Sequence, residues 1–430
     1  MVSRGQILEL DKRFVFRPFT SVDDHLDEDS LVVTHATGPY LFDKDGRKIF
    51  DASGAWWCNH LGFQHPRLVT ALRDQASHLC HVAMSRTTHE HAARLAEELV
   101  AVAPDGLSRV FFADNGSTAV EIATKIAFQY WQQNGRPERK LFVTLSGGYH
   151  GDTIGAMSVG GVESFHRTFS PLFFDVLRAP DASDVGFEAV FDWIVKAIRE
   201  NADRVAGVVL EPIVQAAGGM RFYDPAFLRR VREEATRHDT FLIADEVFTG
   251  FGRTGPMWAC DRAEVAPDLL CTAKGLSGGV LPFGAVLVSG RIHEGFRGDK
   301  SRAFLHGHTF CGHPLGARVA REVLAIYRDE AVLDAAAGVS ATLARRFEAF
   351  GSIPGVRNTR TLGCIAALEL GAEGYFGGRG WAVADEALRR GVAVRPLGDT
   401  LYLVPPLNTP EADLDAMLDR VEESLRARAT

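Results

Sequence analysis

The sequence predicts an α/β fold in which helices cover a mainly parallel sheet. Short apolar runs alternate with helical stretches from about residue 66 onward, and this alternation favours an α/β chain. Two of the runs, residues 205–210 and 240–244, are rich in branched or aromatic residues on both faces, as buried parallel strands are. With 430 residues, of which 46% are hydrophobic, the chain can bury a large core.

The first predicted element is a β-hairpin at residues 38–50. Apolar runs flank Lys44-Asp45-Gly46, and Asp-Gly is a strong signal for a tight turn. We expect residues 1–65, which contain this hairpin, to contribute to a small domain. The other end of the chain is expected to complete that domain.

The central part of the chain, residues 66–325, is predicted to form a large domain. Apolar residues at helical spacing predict helices there, and short branched runs predict strands between them. The predicted helices are 91–103 and 118–130, and the predicted strands are 109–113, 140–145, 205–210 and 240–244. Helices then dominate again, with strands near 364–370 and 401–404, so residues 326–430 predict a smaller α+β domain.

Composition and charge argue against several kinds of partner. The formal net charge is −8 without a basic block, which argues against nucleic acid or an anionic membrane. The six cysteines are scattered without a CxxC pair, and we interpret them as reduced thiols. The first residues lack the apolar core of a signal peptide, and no apolar run approaches the ~18 residues of a membrane span. We therefore expect a soluble cytoplasmic protein.

Two apolar runs end in charged residues. Residues 241–244 lead into Asp245, and residues 269–273 lead into Lys274. Taken singly, Asp245 is better explained as a loop-facing carboxylate, and Lys274 could be either an exposed loop residue or a lysine that binds an aldehyde. Together they offer what pyridoxal 5′-phosphate (PLP) needs at neighbouring strand ends: a lysine that binds its aldehyde and a carboxylate that keeps its pyridine nitrogen protonated.

Two further loops are candidates for the rest of a PLP site. Asn115-Gly116-Ser117 lies between a strand and a helix, where backbone N–H groups and the serine hydroxyl can bind phosphate. The same residues can simply cap the helix, and the two roles are compatible. Residues 147–152 (GGYHGD) follow a strand, and Tyr149 there can stack on a cofactor ring or serve as a core aromatic.

Three motifs, in order along the chain, resemble the class III aminotransferases, which are PLP enzymes of fold type I. They are residues 211–220 (EPIVQAAGGM), residues 245–255 (DEVFTGFGRTG) and Lys274-Gly275. The resemblance covers nearly the whole chain. It implies a PLP-dependent transferase fold of type I, with a large domain that has a mainly parallel sheet and a small α+β domain, and it implies a homodimer.

The resemblance also implies roles at the cofactor. Lys274 would hold PLP covalently and move a proton, Asp245 would pair with the pyridine nitrogen, and Tyr149 would stack on the ring. Glu211 matches a motif position at the same site. The residues implied to bind the phosphate are Gly116 and Ser117, with Thr309 supplied by the partner subunit.

The substrate pocket is implied by matches spread along the chain. Arg395 would bind the carboxylate of a keto acid, a role that suits the bidentate guanidinium. Phe19 and Trp56 would form the walls of the pocket. The full set implied to contact substrate is Phe19, Trp56, Arg253, His308 and Arg395.

Four stretches resemble in particular the family members that serve biotin synthesis. They are residues 17–20 (RPFT), 55–57 (AWW), 148–153 (GYHGDT) and 395–398 (RPLG). This implies transamination of 8-amino-7-oxononanoate to 7,8-diaminononanoate, with S-adenosylmethionine or lysine as the amino donor. Members that use S-adenosylmethionine usually have Tyr in place of Phe19 and Pro in place of His308, whereas lysine-using members look more like this chain at both positions.

Alternative functions remain open at this stage. An aminotransferase for ω-amino acids or diamines would share every cofactor residue. Residues 250–255 (GFGRTG) match the GxGxxG fingerprint of NAD-dependent oxidoreductases, although residues 256–260 do not open a clean helix and Lys274 would have no use. Residues 156–160 (AMSVG) nearly match a hydrolase nucleophile elbow.

Two weaker interpretations concern metal binding and a non-enzymatic role. His306, His308 and His313 lie on one segment, and we interpret them as packing and substrate contacts and expect no metal. A structural or binding protein would leave Asp245, Lys274 and the Gly-Ser loop without a purpose.

Overall fold

The structure is a computed structural model that describes residues 2–23 and 30–429. Its strands are β1 (Val33–Thr37), β2 (Tyr40–Asp43), β3 (Lys48–Asp51), β4 (Leu107–Ala113), β5 (Leu141–Leu145), β6 (Val176–Ala179), β7 (Val205–Leu210), β8 (Val214–Gln215), β9 (Arg221–Phe222), β10 (Phe241–Asp245), β11 (Leu269–Thr272), β12 (Gly284–Ser289), β13 (Arg357–Leu362), β14 (Ile365–Glu369), β15 (Val392–Ala393) and β16 (Thr400–Leu403).

The helical segments lie between and around these strands. They are α1 (Arg4–Phe14), the single turn α2 (Gly54–Trp57), α3 (Pro66–His78), α4 (Glu90–Ala101), α5 (Gly116–Gln133), α6 (Ile154–Val159), α7 (Glu163–His166), α8 (Ala182–Glu200), α9 (Pro225–Arg237), α10 (Ala259–Arg262), α11 (Gly290–Glu294), α12 (Pro314–Asp329), α13 (Val332–Phe350), α14 (Arg379–Arg389) and α15 (Glu411–Arg428). Short 3-10 turns occur at Arg167–Leu172, Lys274–Ser277, Lys300–Arg302 and Gly374–Phe376.

A seven-stranded sheet forms the centre of the molecule, in the order β4-β12-β11-β10-β7-β5-β6. Only β12 runs antiparallel to its neighbours β4 and β11, and the other pairs are parallel. This confirms the predicted α/β fold with a mainly parallel sheet. Because β4, β5, β7, β10 and β11 run in the same direction, their carboxyl ends meet at one edge, where ligands of such sheets bind.

The core lies on both faces of this sheet. Successive residues of a strand point to opposite faces, and β10 shows the result. Leu242 and Ala244 belong to one buried cluster, whereas Phe241 and Ile243 belong to a second cluster. All four side chains are fully buried, which explains why strands of this sheet appear as continuous apolar runs in the sequence.

A second sheet joins the two ends of the chain. Its order is β1-β2-β3-β15, so strands from residues 33–51 pair with residues 392–393. The predicted hairpin is confirmed: β2 and β3 are antiparallel, with Tyr40 opposite Phe50. A three-stranded sheet, β13-β14-β16, completes the C-terminal part. The division of the chain at residues 65 and 325 stays a prediction.

The predicted helices and strands are confirmed, with bounds that differ by up to about three residues. The difference that matters is at α5, which begins at Gly116 and not at residue 118. Asn115 caps it, because its side chain accepts the Thr118 N–H while the Thr118 hydroxyl accepts the Asn115 N–H. Gly116 and Ser117 are therefore the first residues of the helix itself.

Within the described residues, none of the helices has both the length and the apolar character that a membrane crossing requires.

Candidate active site

A cavity of about 760 Å³ lies at the edge where the parallel strands end. Each strand contributes the residues that follow it, which is why side chains distant in sequence meet there. The lining includes Gly116 and Ser117 after β4, Tyr149 after β5, Glu211 after β7, Asp245 at the end of β10, and Lys274 after β11. The structure thus brings together the predicted cofactor residues, except Thr309.

Asp245 is buried and held in a fixed orientation. Its Oδ1 accepts the N–H of Val247 at 3.1 Å, and its Oδ2 accepts from His150 Nδ1 at 2.7 Å. Burial opposes protonation of His150, but the hydrogen bond and charge of Asp245 outweigh burial and raise the pKa of the imidazole. The pair therefore favours His150 as a cation.

Lys274 lies in an apolar and partly shielded position. Burial lowers the pKa of its amine, and the nearby acids Asp245 and Glu211 oppose that shift only in part. Its Nζ lies 5.0 Å from the centroid of the Trp57 ring. The lowered pKa increases the fraction of neutral amine, which is the form that attacks an aldehyde.

Glu211 supports the loop that carries Tyr149. Its carboxylate accepts the N–H of Tyr149 at 3.0 Å and the N–H of Ala216 at 2.9 Å. Burial raises the pKa of Glu211 to about 7. The hydroxyl of Tyr149 donates to Asp152 at 2.8 Å, and this bond fixes the ring at the cavity wall. Glu211 thus acts on the cavity through the backbone of Tyr149.

The N-terminus of α5 forms a polar cradle at one side of the cavity. The first N–H groups of a helix have no partner within the helix and can bind an anion. The hydroxyl of Ser117 accepts the N–H of Thr153 at 3.0 Å. Gly116 has no room for a side chain, since a Cβ there would lie 2.6 Å from Val247. At Gly151 a Cβ would collide with Ser117.

Three of the predicted substrate residues form a cluster beside the cavity. The guanidinium of Arg395 lies 4.3 Å from the Trp56 ring centroid and 5.8 Å from that of Phe19. Phe19 meets Trp56 edge-on at 5.7 Å and Phe165 at 5.3 Å. Phe165 in turn meets Tyr149 at 5.9 Å. A continuous set of aromatic rings thus connects Arg395 with the cavity wall.

Other predicted residues lie elsewhere. Arg253 is fully buried, and its Nη1 donates to the carbonyls of Cys364 and Pro405, so it has no exposed atom to offer a substrate and serves here to join two backbone segments. Thr309 is exposed and does not line the cavity of its own chain. His308 lies near the cavity rim, with its Nε2 at 3.9 Å from Asp114.

Two residues of the site were not predicted from the sequence. His150 follows Tyr149 in the same Gly-rich loop. Its position near the end of a predicted strand is the sequence feature that could have identified it as a site residue. Trp57 follows Trp56, and nothing in the sequence indicated that the two rings point to different parts of the site.

The structure also decides between the alternative motifs. The GFGRTG segment is followed by the one-turn helix Ala259–Arg262, whose N–H groups at Ala259 and Cys260 already donate to Glu246 and do not serve a pyrophosphate. Ser158 lies inside a helix, fully buried, and donates to the carbonyl of Ile154. Neither a dinucleotide site nor a nucleophile elbow is formed by these two described segments.

The cavity suits PLP in each of its parts. A buried carboxylate, a shielded lysine and an anion-binding helix N-terminus lie around one space, and they correspond to the ring nitrogen, the aldehyde and the phosphate. Glycine is required at positions 116 and 151 of the cradle, because a Cβ there would collide with Val247 and with Ser117.

Comparison with known proteins gives the same answer. The family model described as "Aminotransferase class-III" matches residues 22–425. A relative from Geobacter sulfurreducens, named adenosylmethionine-8-amino-7-oxononanoate aminotransferase, is 35% identical over 96% of each chain. The crystal structure of an enzyme of the same name from Methanocaldococcus jannaschii superposes with a TM-score of 0.95 at 32% identity, covering 99% of this chain and all of that one. A PLP-bound amine transaminase from an uncultivated Pseudomonas species gives 0.90 at 32% identity, over 96% and 99%.

Proposed function

The chain belongs to the class-III aminotransferase family and is a PLP-dependent transaminase, and from this premise we propose that it aminates 8-amino-7-oxononanoate to 7,8-diaminononanoate in biotin synthesis. The observation that carries the proposal is the cluster of Arg395, Trp56 and Phe19 beside the cavity. A guanidinium framed by aromatic rings suits a carboxylate at the end of a long apolar chain. The names of the relatives from Geobacter and Methanocaldococcus support the same substrate.

The residues of the cavity divide the work at the cofactor. When bound, PLP supplies an electron sink that stabilises negative charge on the reacting carbon. Asp245, held by His150, would hold the protonated ring nitrogen. Lys274 would bind the aldehyde carbon of the cofactor and would move a proton between that carbon and the amine-bearing carbon of the substrate. Tyr149 would cover the ring and exclude water.

We assign the phosphate to the N-terminus of α5, with Gly116 N–H and the Ser117 N–H and hydroxyl as donors. Thr309 completes this site from the second copy of a homodimer. Two observations support that arrangement: Thr309 is exposed, and two apolar side chains on the same segment, Leu305 and Phe310, expose 87% and 51% of their surface.

The reaction proceeds in two halves, in which a donor first gives its nitrogen to the enzyme and the keto acid then takes it. S-adenosylmethionine and lysine are the donors to test. The second candidate function is transamination of ω-amino acids or diamines, which the likeness to the Pseudomonas amine transaminase favours. We place the enzyme in the cytoplasm, and the six free cysteines support this because thiols stay reduced there.

The test is the visible absorption of the purified holoenzyme during stepwise additions. A lysine-bound cofactor absorbs visible light, a productive donor bleaches it, and 8-amino-7-oxononanoate restores it. Bleaching by S-adenosylmethionine or by lysine identifies the donor. Restoration by pyruvate but not by 8-amino-7-oxononanoate would support the second candidate function. The control is Lys274→Ala, which is expected to bind PLP without the lysine-bound absorption and to show no turnover.

A further inference from the structure

The turn between β3 and α3 has a left-handed backbone. Gly54, Ala55, Trp56 and Trp57 all have positive φ, at 59°, 49°, 60° and 79°. Ala55 and Trp56 have ψ of 50° and 45°, so both are in the left-handed helical region, which a Cβ disfavours. Consecutive residues with side chains rarely adopt it, so contacts elsewhere must hold the turn.

Asp51 provides those contacts. Its Oδ1 accepts the N–H of Ser53 at 3.0 Å and the Ser53 hydroxyl at 2.7 Å, and its Oδ2 accepts the N–H of Ala55 at 2.5 Å. The carboxylate is only 3% exposed, so water does not compete for these bonds. Both oxygens are used, and each accepts from a backbone N–H of the turn.

The left-handed turn sends two consecutive tryptophans to two ends of the site. Trp56 lies against Arg395, with 4.3 Å between the guanidinium and the ring centroid. Trp57 lies 5.0 Å from the amine of Lys274 and also contacts Phe248 at 4.7 Å between ring centroids. An extended or right-handed segment at these positions would not direct the two rings in the same way.

We propose that Asp51 is a positioning residue that holds the left-handed turn, and thereby sets Trp56 at the substrate carboxylate and Trp57 at the reactive lysine. The inference rests on the proposed function in one respect, because one of its tests measures the KM for 8-amino-7-oxononanoate. Asp51 does not line the cavity, and it acts through the turn. Ala55 carries the strain that Asp51 offsets, since glycine at this position would adopt the same backbone without a Cβ.

The test compares Asp51→Asn with a matched control, Asp43→Asn. The asparagine side chain keeps the size but replaces one accepting oxygen with an NH₂ that faces an N–H of the turn. Asp43 is equally buried, at 4%, and accepts the N–H groups of Asp45 and Arg47 in the hairpin turn, away from the tryptophans. If Asp51→Asn leaves the turn formed in about one molecule in ten, the KM for the keto acid rises roughly tenfold. Asp43→Asn is expected to leave KM unchanged.

Rescue by a second substitution separates positioning from general damage. Asp51→Asn/Ala55→Gly is expected to recover most of the lost KM, and Ala55→Gly alone is expected to raise the melting temperature. Near-ultraviolet circular dichroism of the holoenzyme reports whether the tryptophans keep one orientation, and this readout needs no substrate. It is expected to change in Asp51→Asn and to return in the double variant.

The experiments distinguish a failure of the proposed role of Asp51 from a failure of the proposed substrate. Unchanged KM and unchanged dichroism in Asp51→Asn, or a lower melting temperature in Ala55→Gly, would overturn the role of Asp51 even if the wild type aminates 8-amino-7-oxononanoate. If the wild type rejects that keto acid, the proposed substrate is wrong, and the dichroism of the same variants still decides the role of Asp51. Should Asp51→Asn fail to fold, the sign of the Ala55→Gly effect alone decides whether the turn is strained.

Discussion

Replacing His150 with asparagine tests how the side chain of Asp245 is held for the ring nitrogen of the cofactor. In the wild type, Asp245 Oδ2 accepts from His150 at 2.7 Å, and the two side chains are 5% and 1% exposed. The asparagine side chain in His150→Asn can place an amide N–H where the imidazole Nδ1 lies in the wild type, but it carries no charge. Asp245 would then keep the N–H of Val247 and a neutral amide as its partners.

The magnitude follows from the burial and charge of this pair. A hydrogen bond to a charged group contributes about 1.5–3 kcal/mol, and solvent does not screen a pair that is almost fully buried. Because a charged donor makes the bond roughly twice as strong as a neutral one, His150→Asn removes about half of this contribution. At about 1.36 kcal/mol per factor of ten, PLP affinity is expected to fall roughly 4- to 13-fold in His150→Asn. The loss acts on the cofactor, so the KM for the keto acid at saturating PLP should change much less.

The assay is titration of apoenzyme with PLP, followed by quenching of tryptophan fluorescence. The control is His166→Asn. His166 is also buried, at 4% exposed, and packs near Tyr149, but burial lowers its pKa to about 4 and it makes no bond to Asp245. Equal losses in both variants would refute the reasoning, because packing of a buried imidazole would then explain the effect.

Three further predictions concern other parts of the molecule. Gly151→Ala should weaken PLP binding at least tenfold in the same titration, because the new Cβ displaces Ser117 from the phosphate cradle. Arg395→Lys should raise the KM for the keto acid roughly tenfold or more in steady-state kinetics, with PLP affinity unchanged, since an ammonium cannot form the bidentate bond. Burial raises the pKa of Glu246 to about 7, so the folded protein keeps a proton that the unfolded chain releases above about pH 4.5. The free energy of unfolding therefore falls by up to about 1.4 kcal/mol per pH unit as the pH rises from about 4.5 to about 7. Urea unfolding at about pH 5 and pH 8 should show a smaller fall in Glu246→Gln than in the wild type.

The strand ends of the large sheet could be predicted because their chemistry is local. Residues 241–245 show a buried strand followed by an acid, and residues 269–274 show the same pattern with a lysine. A parallel sheet brings such ends together without further information. The start of α5 was placed two residues late because Gly116 and Ser117 are weak helix formers, and the capping box at Asn115 overrides that preference.

Features that depend on distant contacts could not be predicted. Nothing in Ala55-Trp56-Trp57 marks a left-handed turn. The contacts that accompany it come from elsewhere: Asp51 accepts the N–H of Ala55, and a Cβ at Gly54 would lie 2.7 Å from the carbonyl oxygen of Val404. The motif around Arg253 suggested a substrate contact, whereas the structure buries its guanidinium between backbone carbonyls. A motif fixes the residue type at a position, but the environment of its side chain is decided by segments far along the chain.

The two ends of the site therefore depend on different parts of the fold. The cofactor end is built where parallel strands of one sheet end, and its geometry is fixed by the sheet itself. The substrate end is built by Phe19, Trp56 and Arg395, which lie on separate segments and meet only through their side chains. Substitutions at Phe19 should consequently change the KM for the donor or the keto acid while leaving PLP affinity unchanged. Phe19→Tyr is the informative variant, because it adds one hydroxyl near Arg395; a change in PLP affinity as large as the change in KM would show that the two ends are coupled.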